Sequence, residues 1–137
     1  MRPLFALIAL PSVLAAQRPG LKLSDIAGVW HVQTMIGPSD SVVATLELTE
    51  TASDKGWSMV LADHPRVPVR VLTVGGDSVV WEAGPYPSTR RIGQTVVLRT
   101  VGHYKGGEMW GSFEATYSVT GKVSGKIKGE REKSTRP

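Results

Sequence analysis

Residues 24–32, Ser-Asp-Ile-Ala-Gly-Val-Trp-His-Val, contain the pattern that decides the fold. Ser24 or Asp25 can cap a single helical turn, after which a strand is predicted to begin at Gly28. A glycine lets the backbone approach a crossing segment closely, and Trp30, two residues later, can cover the end of a barrel core. A buried tryptophan on an ordinary edge strand would give the same triplet. Both interpretations place Trp30 in the hydrophobic interior.

The first sixteen residues have the three parts of a secretion signal. Arg2 is the charged start, residues 4–14 are apolar, and Ala15 and Ala16 are small residues suited to cleavage. The apolar run has about ten residues, whereas a membrane span needs roughly 20. We therefore expect residues 1–16 to be a cleavable signal peptide, the mature chain to have no membrane span, and the protein to be exported to the periplasm or the extracellular space.

Composition limits how the mature protein can be stabilised and what it can bind. The chain contains no cysteine, so disulfides are excluded and core packing alone must stabilise the fold. Removing Arg2 from the 16 Lys and Arg leaves 15 against 12 Asp and Glu, a mild positive charge. Several of these cations fall in residues 122–136. They could meet an anionic partner, or they could be the lysines that protect a strand edge from aggregation.

Apolar residues at alternate positions recur along the chain and predict strands. The predicted strands are residues 28–36, 41–49, 57–61, 67–74, 78–83, 94–101, 109–119 and 123–133, and the longest irregular stretch is predicted at residues 84–93. Consecutive strands with short turns form a meander, and closing the meander removes both sheet edges. The sequence therefore predicts an all-β fold, a single eight-stranded antiparallel up-and-down barrel over residues 28–133. Residues 17–27 form a linker and cap, residues 134–137 a tail, and no long helix follows the signal peptide.

Taken together, the signal peptide, the Gly28-x-Trp30 triplet and the run of hairpins resemble the calycin group of β-barrels, lipocalins especially. In that family the tryptophan closes one end of the barrel and packs under a basic residue from the last strand. The resemblance implies this role for Arg131. Typical lipocalins are longer and end with a helix, and avidin-like barrels share the triplet but also have a polar biotin-binding set that is not recognisable here. The chain also resembles short, uncharacterised exported proteins of bacteria.

Large side chains on the predicted inward faces are candidates for ligand binding. They are Trp57, Met59, Trp81, Phe113 and Tyr117. An eight-stranded barrel is either just filled by its side chains or holds one small ligand. The aromatic residues could fill the core, or small residues at Gly111 and Ala115 could leave a cavity with aromatic walls, which is typical of sites for apolar ligands.

A second set of residues has the composition of a protein contact. Trp110 falls in phase with polar neighbours, and an exposed tryptophan often has a partner, although a bulge at Gly111 could turn it inward. Tyr86 precedes the adjacent Arg90 and Arg91 on the irregular stretch, and these residue types are enriched at contact hot spots. That stretch could be the rim of the barrel mouth, a docking loop or an ordinary loop.

No pattern of catalysis is present in the sequence. The three histidines lack metal-ligand spacing, and there is neither a G-x-S-x-G stretch nor a thiol. We therefore expect no enzyme activity, no cofactor and no metal, and the export signal argues against nucleic acid. The leading hypothesis is a lipocalin-like exported binding protein for a small apolar ligand. The alternative is an interaction module or accessory subunit docked on another exported protein or on the outer face of a membrane complex.

Overall fold

The computed structural model describes residues 20–62 and 64–133, which form one closed barrel of eight antiparallel strands in chain order. The elements are α1 (Leu23–Ile26), β1 (Gly28–Ile36), β2 (Ser41–Glu50), β3 (Ser58–Leu61), β4 (Val67–Gly75), β5 (Ser78–Pro87), β6 (Thr95–Lys105), β7 (Glu108–Tyr117) and β8 (Gly121–Arg131). The all-β, up-and-down barrel predicted from the sequence is confirmed, and it is consistent with a calycin-like fold. The signal peptide and tail predictions, residues 1–16 and 134–137, lie outside the described residues.

Antiparallel pairing of β1 with β8 closes the sheet. The register runs from Trp30 opposite Arg131 to Met35 opposite Lys126. Closure leaves no edge between the first and last strands, so the alternate apolar residues of all the strands face one interior. The inward set includes Val32, Leu48 and Ile127, all buried.

The two ends of the barrel differ. The closed end is the one at which α1 precedes β1 and the β4–β5 and β6–β7 turns lie. The open end carries the β1–β2 turn, the β7–β8 turn and residues 88–94, which connect β5 to β6.

The wall is weakest between β3 and β4, whose register contains only two residue pairs in the part of the chain that the structure describes. The backbone N–H of Val69 also donates a 2.9 Å hydrogen bond to the carbonyl oxygen of Trp57, which extends the pairing of β3 with β4 by one contact.

β5 is longer than the sequence predicts. The sequence predicts an irregular stretch at residues 84–87, but Tyr86 and Pro87 pair with Val96 and Thr95 of β6 after a register shift. The shift begins at Gly84, whose φ of +103° favours glycine and where an added Cβ would overlap the carbonyl oxygen of Val96. The bulge therefore accommodates the Gly-Pro pair, and the strand continues to the open end.

Among the described residues, no helix is long and apolar enough to cross a membrane.

Candidate ligand-binding site

Trp30 fills the closed end of the barrel. Its side chain is fully buried, with 0 % exposed, and its indole Nε1 donates a 2.8 Å hydrogen bond to the carbonyl oxygen of Ile26 in α1. The ring of Tyr104 meets it edge to face at 5.3 Å between centroids. The indole is thus held between α1 and the barrel interior, and this end is sealed.

Arg131 covers the same indole from β8. Its Cζ lies 5.1 Å from the centroid of the Trp30 ring, and its Nη2 donates a 2.8 Å hydrogen bond to the carbonyl oxygen of Asp25. A Cβ at Gly28, where φ is +140°, would lie 3.4 Å from Cδ of Arg131, so glycine leaves room for the arginine stem. The structure brings Gly28, Trp30 and Arg131 together in the arrangement that the resemblance implies.

A buried carboxyl group that the sequence did not predict lies at this same end of the barrel, where Glu50 of β2 pairs with Gly28 of β1. Glu50 is 2 % exposed, and the hydroxyl of Tyr104 donates a 2.6 Å hydrogen bond to its Oε2. Burial raises the pKa of Glu50 to about 8, although the bond from Tyr104 and the charge of Arg131 both lower it. Leu46, Leu48 and Glu50 are alternate residues of β2 and share its buried face. This alternation is the sequence signal that indicates an inward position for Glu50.

The open end contains a cavity of about 500 Å³ inside the barrel. Most of its wall is apolar and includes Ile36, Leu46, Leu98, Phe113 and Val123. Its volume falls within the roughly 300–1,000 Å³ typical of small-molecule sites. Apolar lining with a few polar groups is the usual composition of such sites, so this cavity is the candidate binding site.

Residues 88–94 pass over the mouth of this cavity and are held there by specific contacts. The hydroxyl of Ser88 accepts hydrogen bonds from the backbone N–H groups of Arg90 and Arg91 at 3.2 and 3.0 Å. Arg90 Nη1 donates to the carbonyl oxygen of Val43 in β2 at 3.3 Å. Arg91 contacts the hydroxyl of Thr120 in the β7–β8 turn. The segment therefore bridges opposite sides of the mouth.

The five candidate ligand-binding residues lie at two heights in the barrel. Phe113 and Tyr117 line the cavity. Trp57, Met59 and Trp81 are buried, but they are not among the residues that line it. All five side chains were predicted to face inward, but three of them fill the core and two border the cavity.

The two small residues of β7 also behave differently. Ala115 lines the cavity. Gly111 does not line it. A Cβ at Gly111 would overlap the carbonyl oxygen of Val101 on β6. The space predicted at Gly111 is occupied by the neighbouring strand, which approaches closely because no side chain is present.

The four candidate partner-contact residues do not form one surface. Trp110 is 44 % exposed on the outer face, where it stacks on His103 with ring centroids 5.9 Å apart. The alternative that a bulge turns Trp110 inward is wrong. Tyr86, Arg90 and Arg91 lie instead at the cavity, and Tyr86 is buried.

A second concavity, of about 760 Å³, lies on the outer face across β8, β1, β2 and β3. Its lining mixes polar and charged residues, among them His31, Gln33, Glu47, Lys128 and Glu130, with apolar ones such as Val60 and Leu61. His31 and Glu132 form an exposed pair at 3.1 Å beside it. This concavity lies on the outer face of the wall, whereas the open-end cavity lies inside the barrel and is lined mostly by apolar residues, so the interior cavity remains the candidate site.

Among residues 20–62 and 64–133, no three His, Asp or Glu side chains are grouped as metal ligands. Compared with known proteins, the chain matches no protein-family model, and no curated protein or solved structure is significantly similar to it.

Proposed function

We propose that this protein is a non-catalytic exported binding protein that holds one small apolar ligand in its barrel, as the lipocalins that it resembles do. One observation carries the proposal: the barrel is sealed at one end by Trp30 and contains a largely apolar cavity of about 500 Å³ at the other. A barrel that served only as a scaffold would gain stability by filling this space with side chains, because that would bury more apolar surface.

The walls of the cavity support binding rather than further packing. The interior face of Phe113 and the small side chain of Ala115 border it, and Tyr117 lies near the mouth. Apolar surface that remains accessible in a cavity favours an apolar ligand by roughly 25 cal/mol for each Å² removed from water. Entry is through the open end, since Trp30 and Arg131 close the other.

Export of the protein belongs to the same proposal and is supported by the pattern of residues 1–16. Mass spectrometry of the protein recovered from the cell envelope and the medium tests it. We expect the mature chain to begin at Ala16 or Gln17. Recovery of the chain with residues 1–16 attached, in the cytoplasm, would contradict it.

Binding is tested with the neutral fluorescent probe N-phenyl-1-naphthylamine. The wild-type mature chain should bind it saturably. Ala115→Leu should weaken binding at least about ten-fold, because the larger side chain projects into the cavity. Ser112→Leu is the matched control, since Ser112 is an exposed outward residue of the same strand. Circular dichroism confirms that both variants fold. Absence of saturable binding, or equal affinity in Ala115→Leu and Ser112→Leu, would refute the proposal.

A second candidate function is docking on another exported protein, and the exposure of Trp110 is the observation that favours it. Trp110 stacks on His103, whose Nδ1 lies 3.1 Å from Oδ1 of Asp77, so the indole is held on the surface. Immobilised wild-type and Trp110→Ala chains distinguish this function in a native extract. A docking subunit should retain one partner that Trp110→Ala does not retain, whereas a carrier should retain none.

A further inference from the structure

Charge at the mouth of the cavity is of one sign. Two arginines, Arg90 and Arg91, belong to its lining, and none of its described lining residues is Asp or Glu. Two acids near this end are paired outside the barrel: Asp40 with Lys126 at 3.4 Å, and Glu114 with Lys122 at 3.5 Å. No salt bridge among residues 20–62 and 64–133 involves Arg90 or Arg91. The mouth therefore has a positive potential.

Arg91 is held in a fixed position beside the cavity. Its Cζ lies 4.1 Å from the centroid of the Tyr117 ring, its backbone N–H is bound by Ser88, and its Nη1 contacts Thr120. A guanidinium group has five N–H donors, so most of those on Arg91 remain available for a ligand. Since the side chain is already ordered, binding an anion would require little further loss of side-chain entropy.

Two phenol groups in the cavity lining are suited to the same partner. Tyr86 and Tyr117 both line the cavity. Burial, and to a smaller extent the nearby Tyr117, raise the pKa of Tyr86 to about 12, so its phenol stays neutral at physiological pH. Neutral phenols can donate hydrogen bonds to an anionic oxygen and add no negative charge to oppose it.

We propose that the natural ligand is an apolar molecule with one carboxylate, whose hydrocarbon body fills the cavity and whose carboxylate binds Arg91 and Arg90 at the mouth. This inference depends on the proposed function, because it assigns the chemical class of the ligand to the same site. The planar guanidinium matches a carboxylate with two parallel hydrogen bonds, which a neutral alcohol of the same chain length cannot accept.

The test compares decanoate with 1-decanol in displacing N-phenyl-1-naphthylamine from the wild-type mature chain at pH 7.5. Decanoate should bind at least about ten-fold more tightly than decanol. The double variant Arg90→Gln/Arg91→Gln should reduce this ratio to near one, because neither glutamine carries a charge that favours the carboxylate over the alcohol. Arg99→Gln is the matched control, because Arg99 is exposed on the outer face of β6 and its removal changes charge away from the mouth. It should leave the ratio unchanged.

The possible failures are distinguishable. If both compounds displace the probe with equal affinity, or if the double variant keeps the preference for decanoate, the assignment of a carboxylate ligand is wrong and the cavity remains a site for apolar molecules. If the probe does not bind and neither compound binds, the proposed function itself is wrong. An equal loss of the preference in Arg99→Gln would assign it to overall charge and would also overturn the inference.

Discussion

The hydroxyl of Tyr104 donates a 2.6 Å hydrogen bond to Oε2 of Glu50 within the barrel interior. Glu50 is a carboxyl group on the inward face of β2, with its pKa raised to about 8 by burial. The two groups identified as opposing that shift are the Tyr104 hydroxyl on β6 and the Arg131 guanidinium on β8. At neutral pH the folded protein therefore holds Glu50 in its protonated, uncharged form.

The first prediction concerns pH. Because the pKa of Glu50 is near 8 in the folded chain and 4.5 as the reference for the unfolded chain, folding takes up a proton between these values. The stabilising contribution is complete below pH 4.5, decreases as pH rises, and is lost above about pH 8. Its size is on the order of a few kcal/mol. Urea unfolding at pH 5, 7 and 9 measures it.

The neutral variant Glu50→Gln isolates this contribution from the titration of other groups. As pH rises from 5 to 9, the unfolding free energy of the wild type should fall relative to that of Glu50→Gln. A difference that stays constant over this range would show that Glu50 is not a buried group with a raised pKa.

The second prediction concerns Tyr104→Phe. Removing the hydroxyl removes a bond that lowers the pKa of Glu50, so the pH at which stability is lost should move upward. The phenyl ring should keep the edge contact with Trp30. We expect a loss of about 1–2 kcal/mol in unfolding free energy at pH 7, as for other buried hydrogen bonds. A midpoint that moves downward in the same urea series would contradict this reading.

The third prediction concerns the cover over the closed end. Arg131→Ala removes the hydrogen bond to the Asp25 carbonyl and the packing over Trp30, and should lower the unfolding free energy by about 1–3 kcal/mol. Lys128→Ala is the control on the same strand, because Lys128 is exposed and should change stability by no more than about 0.5 kcal/mol. If thermal unfolding gives Arg131→Ala and Lys128→Ala the same stability, Arg131 does not stabilise the closed end.

The fourth prediction compares two tryptophans. Trp30→Ala should lower the unfolding free energy by about 3–5 kcal/mol, because the side chain is fully buried and leaves a cavity. Trp110→Ala should have less than about 1 kcal/mol of effect, because that indole is 44 % exposed. Chemical denaturation of both variants measures the contrast. Equal losses would mean that Trp30 does not close the barrel.

Strand alternation predicted the barrel because a period of two needs no tertiary information. The inward positions of Trp30, Val32 and Leu46 follow from it directly. The burial of Glu50 was not predicted because a charged residue at the end of a strand is usually exposed to solvent. Its neutral state depends on burial, and the closed barrel produces that burial. The role of Arg131 came from the resemblance to lipocalins, since its pairing with Trp30 joins the first and last strands.

The position of the cavity could not be read from the sequence. Trp81 and Phe113 share the inward face, yet only Phe113 lines the cavity. Their heights along the barrel axis depend on the register of each strand with its neighbour, and that register includes shifts such as the one in β5. A sequence pattern gives the face of a residue, whereas the register of the closed sheet gives its height.

The last prediction uses Gly125 on β8, opposite Phe113 of β7. A Cβ at Gly125 would overlap the carbonyl oxygen of Met35 and would lie 2.8 Å from Cε1 of Phe113. Gly125→Ala should therefore displace the phenyl ring, lower the unfolding free energy by about 1–3 kcal/mol and weaken binding of N-phenyl-1-naphthylamine. Gly107→Ala is the control, because a Cβ there meets nothing within 4 Å. If Gly125→Ala binds the probe as Gly107→Ala does, Phe113 is not a wall of the ligand site, and the probe must occupy another part of the barrel.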